Sequence, residues 1–232
     1  MVTLEQVRNN PDIACLIDSA NRTLAAIGYT EHGRRHMGYV SHTASAILSQ
    51  LHYDERIVEL AAIAGWIHDV GNCVNRHNHG LTGALLVFPI LRDMGMPMEE
   101  VTAIISAIGN HEEQSGKVVS EISAALVLAD KSDAHRTRVR HGGAYNINDI
   151  HDRVNYAIQR NDLTVDATQR TIIFSLEMEE TSSVMDFLQI YLSRMLMSEQ
   201  AAHFLHCRYN LIINGQTVNN HGLADFHVAA DD

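Results

Sequence analysis

Cysteine is scarce in these 232 residues: Cys15, Cys73 and Cys207 are the only three, far apart and never in a Cys-x-x-Cys pair. That excludes a disulfide framework and a zinc–thiolate site, and makes a reducing, cytoplasmic setting the expectation. Basic charge is also short. Seventeen Lys+Arg against 28 Asp+Glu leave a net charge of −11 with His neutral. A nucleic-acid polymer is therefore not expected as the main partner. No apolar run is long enough to cross a bilayer. The stretch Met1 to Asn10 lacks the basic-then-apolar pattern of an export signal, so no membrane partner is expected either. Internal repeats and low-complexity segments are absent as well.

Against those absences stand 46% hydrophobic residues, enough for a real core, and 15 His. His is the commonest metal ligand, so the excess is worth tracing through the chain. The length suits one large domain, or one domain with a small appendage.

Asn10-Pro11 reads as a helix cap and first helical residue, with an apolar stripe that stops at Gly28. Thr30 is expected to cap a second helix whose buried stripe is His36, Val40, Thr43, Ala44, Ile47 and Leu51. His42 falls on its polar side, and His32 is taken as a bystander. The stretch Ile57 to Ile67 is apolar on nearly every side, which places it in the middle of a core. It ends on His68-Asp69. A buried, ionised carboxylate costs several kcal/mol unless something pairs with it, and a metal ion suits a His–Asp pair.

His79 opens another helix, expected to face inward through Leu81, Ala84, Leu85 and Phe88, to kink at Pro89 and to close at Gly95. The next helix, from Pro97, presents Val101, Ile104, Ile105 and Ile108, with His111 extending the same face. Ser120 caps a helix bearing Ile122, Ala125, Leu126 and Ala129, and Asp130 projects from that apolar face. Gly142, Gly143 and Asn146 to Asp149 mark a boundary. The fold class expected is therefore mainly α: a helical domain over residues 1–140 and a small α+β unit over 141–232. In that unit, 154–165 and 170–179 read as strands joined by a turn at 166–169. Ser183 caps a helix to about His206, anchored by Val184, Phe187, Leu188, Tyr191, Leu192, Met195 and Phe204. Tyr209 to Ile213 is a last strand, whose apolar edge would dock on the core or pair with a second copy in a homodimer, and Ala229 to Asp232 reads as a frayed tail.

His36, His68, Asp69, His79, His111 and Asp130 thus sit at or just beyond apolar helical faces on five separate segments. One such His is more often a hydrogen-bonded core residue than a ligand; six residues together point to a metal. The matching pieces are His36-Met-Gly-Tyr-Val40, Ala61-Ala-Ile-Ala-Gly-Trp-Ile-His-Asp-Val-Gly71 and Ala129-Asp-Lys-Ser-Asp133. In that order they resemble the HD superfamily of metal-dependent phosphohydrolases. His79-Gly-Leu-Thr-Gly83 and Asn110-His111-Glu112 resemble its two-metal branch. The chain departs from the family where Asn72 follows the helix in place of a common Lys, and where Asn110 precedes His111 in place of a second His. Residues 141–232 lie outside the likeness.

The resemblance implies an HD-type helical fold, with His36, His68, Asp69 and Asp130 on one divalent ion and His79 and His111 on a second that Asp69 bridges. Mixed nitrogen and oxygen ligands suit Fe or Mn, with Co, Ni and Zn as alternatives. Paired ions acidify a shared water, so hydroxide is present near neutral pH to attack phosphorus in line. The expected function is hydrolysis of a phosphate mono- or diester of a small, nucleotide-like molecule, with Asp69 catalytic. Lys131, Arg136 and Arg138, and less so Arg140, are the candidates to neutralise its phosphate. Glu112 and Asp133 are read as surface residues, with orientation of a water or ligand as the alternative. Two other readings use the same residues: a non-catalytic nucleotide sensor, which would bind without turnover, and a di-iron oxygenase, which would consume oxygen.

Overall fold

The computed structural model describes residues 1–140 and 148–219. The Gly142–Asn146 part of the expected boundary and the 229–232 tail lie outside the described residues. Within them, helices dominate and one small sheet forms near the C-terminus. Helix α1 (Leu4–Arg8) was not expected; it is a single turn fixed by a Thr3–Gln6 capping box. Helix α2 (Pro11–Ala26) starts where Asn10 caps it, through bonds from the Asp12 and Ile13 N–H groups. Helix α3 (Arg34–Gln50) has its cap at Gly33, three residues later than the expected cap Thr30. The carbonyl of Thr30 is taken by His32 and Arg140 instead.

Helix α4 (Glu55–Ile67) is the centre of the body, and every residue from Leu60 to Ile67 is buried. Gly65 permits α3 to lie against it: a Cβ there would stand 2.8 Å from the backbone of Ser41. The Ser41 hydroxyl donates to Ala62 O across the same contact. After His68 the chain tightens into a 3-10 turn, Val70–Cys73, and Asn72 Nδ2 donates to Asp69 O. Gly71 in that turn meets the start of the next helix, where a Cβ would fall 2.0 Å from His79 O.

Helix α5 (His79–Asp93) runs through Pro89, and its inward face is His79, Gly80, Gly83, Val87 and Leu91. The expected leucines point out: Leu81 is 53% and Leu85 77% exposed. Glycines take the inner positions because backbone, not side chain, fills the space there: Ile108 O lies 2.7 Å from where a Gly80 Cβ would be. Helices α6 (Met98–Gly109) and α7 (Glu121–Ser132) follow the expected stripes.

Residues 150–157 form helix α8 (Ile150–Ala157), capped by Asp149, so the strand expected over 154–165 starts four residues later, as β1 (Ile158–Asp166). It pairs antiparallel with β2 (Thr171–Met178). Helix α9 (Val184–Phe204), with a Ser183–Asp186 capping box, carries the chain back so that β3 (Arg208–Ile213) lies parallel to β2. Strand β4 (Gln216–Thr217) pairs with the far side of β3 at Ile212 and Ile213, and Val218 and Asn219 continue that cover to Leu211 and Tyr209. Of the anchors expected on α9, Phe187, Tyr191 and Met195 are buried, whereas Val184, Leu192 and Phe204 face solvent, because one side of this helix packs on α7 and the sheet. Phe174, Leu176, Phe187 and Tyr191 belong to the same buried cluster as Ile63 and Leu126. No described helix is long and apolar enough to cross a membrane.

Candidate metal centre

The end of α4 delivers the buried His68 and, beside it, Asp69, which lines a cavity of about 600 Å³. The first turn of α3 brings His36, the last turn of α7 brings Asp130, the start of α5 brings His79, and the residue beyond the cap of α6 is His111. All six residues expected as ligands therefore meet. They divide into two groups around one carboxylate. Asp69 Oδ2 lies 3.7 Å from His36 Nε2 and 3.6 Å from His68 Nε2. Asp130 Oδ1 completes that group, 3.3 Å from His36 Nε2 and 3.6 Å from His68 Nε2. Asp69 Oδ1 lies 3.0 Å from His79 Nε2 and 3.6 Å from His111 Nε2. Two ligand atoms on one ion at about 2.1 Å stand about 3 Å apart at a right angle and about 3.4 Å at a tetrahedral one. The observed spacings run from 3.0 Å, within that range, to 3.7 Å, about 0.3 Å beyond it.

The outer nitrogens set the tautomers. His68 Nδ1 is 3.0 Å from Gly65 O, His111 Nδ1 2.7 Å from Ile108 O, and His79 Nδ1 3.0 Å from Arg76 O. A carbonyl only accepts, so each Nδ1 carries the hydrogen. His36 Nδ1 faces Asp133 Oδ2 at 2.6 Å. In the neutral ring each Nε2 is then a bare lone pair, and these converge: His36 and His68 at 3.3 Å, His79 and His111 at 3.1 Å. Facing lone pairs repel unless a cation lies between them. Ligating His residues are oriented by outer bonds of this kind. The buried His and Asp side chains could thus hold a metal ion.

Electrostatics keep both carboxylates ionised and favour positive charge between the rings, met on His79 by a proton in the place a metal cation would take. Burial alone would raise Asp69, but His68, His111 and His79 hold its carboxyl well below the usual range. Burial would also raise Asp130, which Lys131, His36 and His68 keep well below it. For His79, burial works downward, yet the bonds to Asp69 and Glu112 lift it to about 9.

Asp133 and Glu112, expected at the surface, are buried. Asp133 accepts from Arg35 Nη2 at 2.7 Å while holding His36, so it orients a ligand and is itself held. Glu112 accepts from Gly80 N–H at 2.8 Å and lies 3.1 Å from His79 Nδ1, supplying the N-terminal cap that Asn78 does not give α5. His32, the supposed bystander, is buried against the same network. Burial and Arg138 hold its ring well below its ordinary range, so it stays neutral and accepts from Arg138 Nη2 at 2.8 Å.

The basic residues expected near the phosphate separate. Lys131 lines the cavity, 2.8 Å from both Asp130 Oδ2 and Glu113 Oε2. Arg138 lines it too, but bonds Asp133 O and His32. The structure does not bring Arg136 to the cavity: it bonds Tyr156 O and Glu179 and lies over the Tyr156 ring. Arg140 is tied to Tyr29 O and Asn21. The chain pattern missed Arg76, in the loop between the 3-10 turn and α5, and the wall given by α8 and α9: His151, Asn155, Tyr191 and Arg194. Its only sequence signal is that Arg194 interrupts the buried stripe between Tyr191 and Met195.

No family model matches the sequence. The chain is similar to the uncharacterized protein MJ1020 of Methanocaldococcus jannaschii, 23% identical over 185 residues that cover 70% of this chain and 71% of that one.

Proposed function

We propose that this protein is a metal-dependent phosphohydrolase of the HD superfamily, acting on phosphate mono- or diesters of small, nucleotide-like molecules. The observation that carries the reading is Asp69: its two oxygens face two separate sets of imidazole lone pairs. His36, His68 and Asp130 with one oxygen would hold a first divalent ion, and His79 and His111 with the other a second. Fe or Mn fits this nitrogen–oxygen donor set best. When bound, such ions acidify a water and draw charge from a phosphoryl oxygen.

The chain's own groups do the rest. Lys131 places a buried positive charge beside Asp130 at the cavity wall, where phosphate charge must be balanced. Asp133, Gly65 O, Arg76 O and Ile108 O fix the rings so that no reorientation accompanies reaction. The cavity is within the size range of small-molecule sites, and the exposed Tyr29 on its wall suits a planar group.

The test is elemental analysis of tag-free protein followed by a phosphomonoester and phosphodiester panel with Mn, Fe, Co or Ni. About two ions per chain are expected, with turnover that Asp69→Ala abolishes. A fully metallated protein that turns over no phosphate ester would sink the reading; tight nucleotide binding without turnover would favour a sensor.

A further inference from the structure

We infer that the C-terminal helices complete the substrate site, with Arg194 of α9 and Arg76 of the loop before α5 gripping the anionic group of the substrate. This rests on the phosphohydrolase reading and adds to it two residues, one of them outside the region that resembles the HD superfamily.

Most charges in the cavity are already balanced within the protein. Among the described residues, its carboxylates have protein partners. Glu112 is held by His79 and Gly80, Glu113 by Lys131 and Arg194, and Asp133 by Arg35 and His36. Asp149 accepts from His151 N–H, and Asp152 is also partnered. Lys131 and Arg138 are likewise engaged with acidic neighbours. The two remaining guanidiniums differ. Arg194 uses Nε on Glu113 Oε1 at 3.3 Å, and neither Nη has a hydrogen-bond partner among the described residues. Arg76 has no carboxylate within 4.0 Å among them; its Nη1 lies 3.4 Å from Asn72 Oδ1 and 3.2 Å from both ring nitrogens of His79. Equal distances to both nitrogens place it against the ring rather than in a bond to one of them.

Both are held ready. Arg194 lies 4.8 Å over the Tyr191 ring, which stacks on Phe187 and donates its hydroxyl to Asn155 Oδ1 at 3.0 Å. Arg76 lies 5.5 Å over Tyr29. An Arg stacked on an aromatic face loses little further freedom when its fork closes on an oxyanion. They also flank the metal centre. Arg76 touches His79 of the second ligand group, and Arg194 reaches Asp130 of the first through Glu113 and Lys131. A phosphate seated over Asp69 therefore meets a guanidinium on each side, which favours a small, fully anionic phosphate end over a neutral one.

The test is inorganic phosphate binding to the manganese-loaded protein, by calorimetry and as product inhibition. Arg194→Met and Arg76→Met are each expected to weaken phosphate about tenfold or more, with manganese content and Tm close to the parent's. Arg194→Lys, which keeps a charge opposite Glu113, should fall between parent and Met; it also serves if the Met variant does not fold. Arg92→Met, a surface change beside Asp93, should leave binding within twofold. A parent that binds phosphate while both Met variants match it within twofold overturns this inference alone. A manganese-loaded parent that neither binds phosphate nor hydrolyses an ester overturns the functional reading with it.

Discussion

His36 and Asp130 on one side of Asp69, and His79 and His111 on the other, are supported by different materials. Behind the first group stands a buried network of side chains: Asp133 on His36, Arg35 and Arg138 on Asp133, His32 on Arg138, and Lys131 on Asp130. Behind the second stand mainly carbonyls, Arg76 O for His79 and Ile108 O for His111. A side-chain network can be altered one atom at a time without moving the backbone. A carbonyl cannot, so the second group is set by the path of the chain through Gly71 and Gly80. The first group is accordingly the tunable one, and the second is as good as the packing of α5 on α6.

Asp69 belongs to both, so its loss should have the largest effect. Asp69→Ala is expected to reduce metal content from about two ions to near zero and turnover by at least about 10³-fold, read by elemental analysis and initial rates. One ion retained at full strength would show that the groups do not share this carboxylate. Single-group variants sharpen the division. His36→Ala should empty the first group and His79→Ala the second, each leaving about one ion per chain. Loss of both ions from either variant would mean the two groups act as one.

That division was only partly legible in the chain. The His and Asp ligands could be placed because each continues an apolar stripe of a helix, where an imidazole or carboxylate has no reason to be unless it is used. Their outer partners could not. Asp133 and Glu112 sit in loops or caps with no periodicity, and only the crossing of α3 with α7, and of α5 with the α6 end, buries them. The inner face of α5 was misjudged for a related reason: hydrophobic pattern favours leucines inside, whereas the close approach at Gly71 and Gly80 leaves room only for backbone. At 154–157 the apolar spacing is too short to separate strand from helix, and the helix started by the Asp149 cap decides it. Arg76 carries no pattern and Arg194 shows only as a break in the α9 stripe, because they come to the cavity through the loop and α9 rather than through an apolar helical face.

The side-chain network behind the first group offers a middle-sized test. Asp133→Asn keeps the shape but removes the charge that His36 Nδ1 and Arg35 address. Outer-partner losses of this type weaken metal binding by about 10- to 100-fold. The effect should fall on one ion only, seen as a split in a chelator titration, with the second ion retained. An equal weakening of both would remove the distinction between tunable and backbone-set groups.

The smallest effect concerns the brace that keeps the two groups in register. Arg56 on α4 pairs with Glu100 on α6, and those helices end on His68-Asp69 and just before His111. Arg56 Nη1 also holds Val2 O at 3.0 Å, tying the first residues of the chain to the same point. The pair is only partly exposed, with side chains 18% and 16% accessible, so about 0.5–1 kcal/mol is the scale expected for Arg56→Ala at neutral pH. The bond from Arg56 holds the Glu100 carboxyl below its ordinary value. A carboxylate whose pKa is depressed by folding stabilises the fold fully above its unfolded pKa, about 4.3, and that contribution disappears as pH falls through the folded value. Urea unfolding of parent and Arg56→Ala should therefore differ at pH 7 and converge as the solution is acidified below about pH 4. Because the brace acts on helix position rather than on any ligand, the variant should keep both ions. Loss of the His111-side ion alone would mean instead that the second group depends on α4 being held against α6.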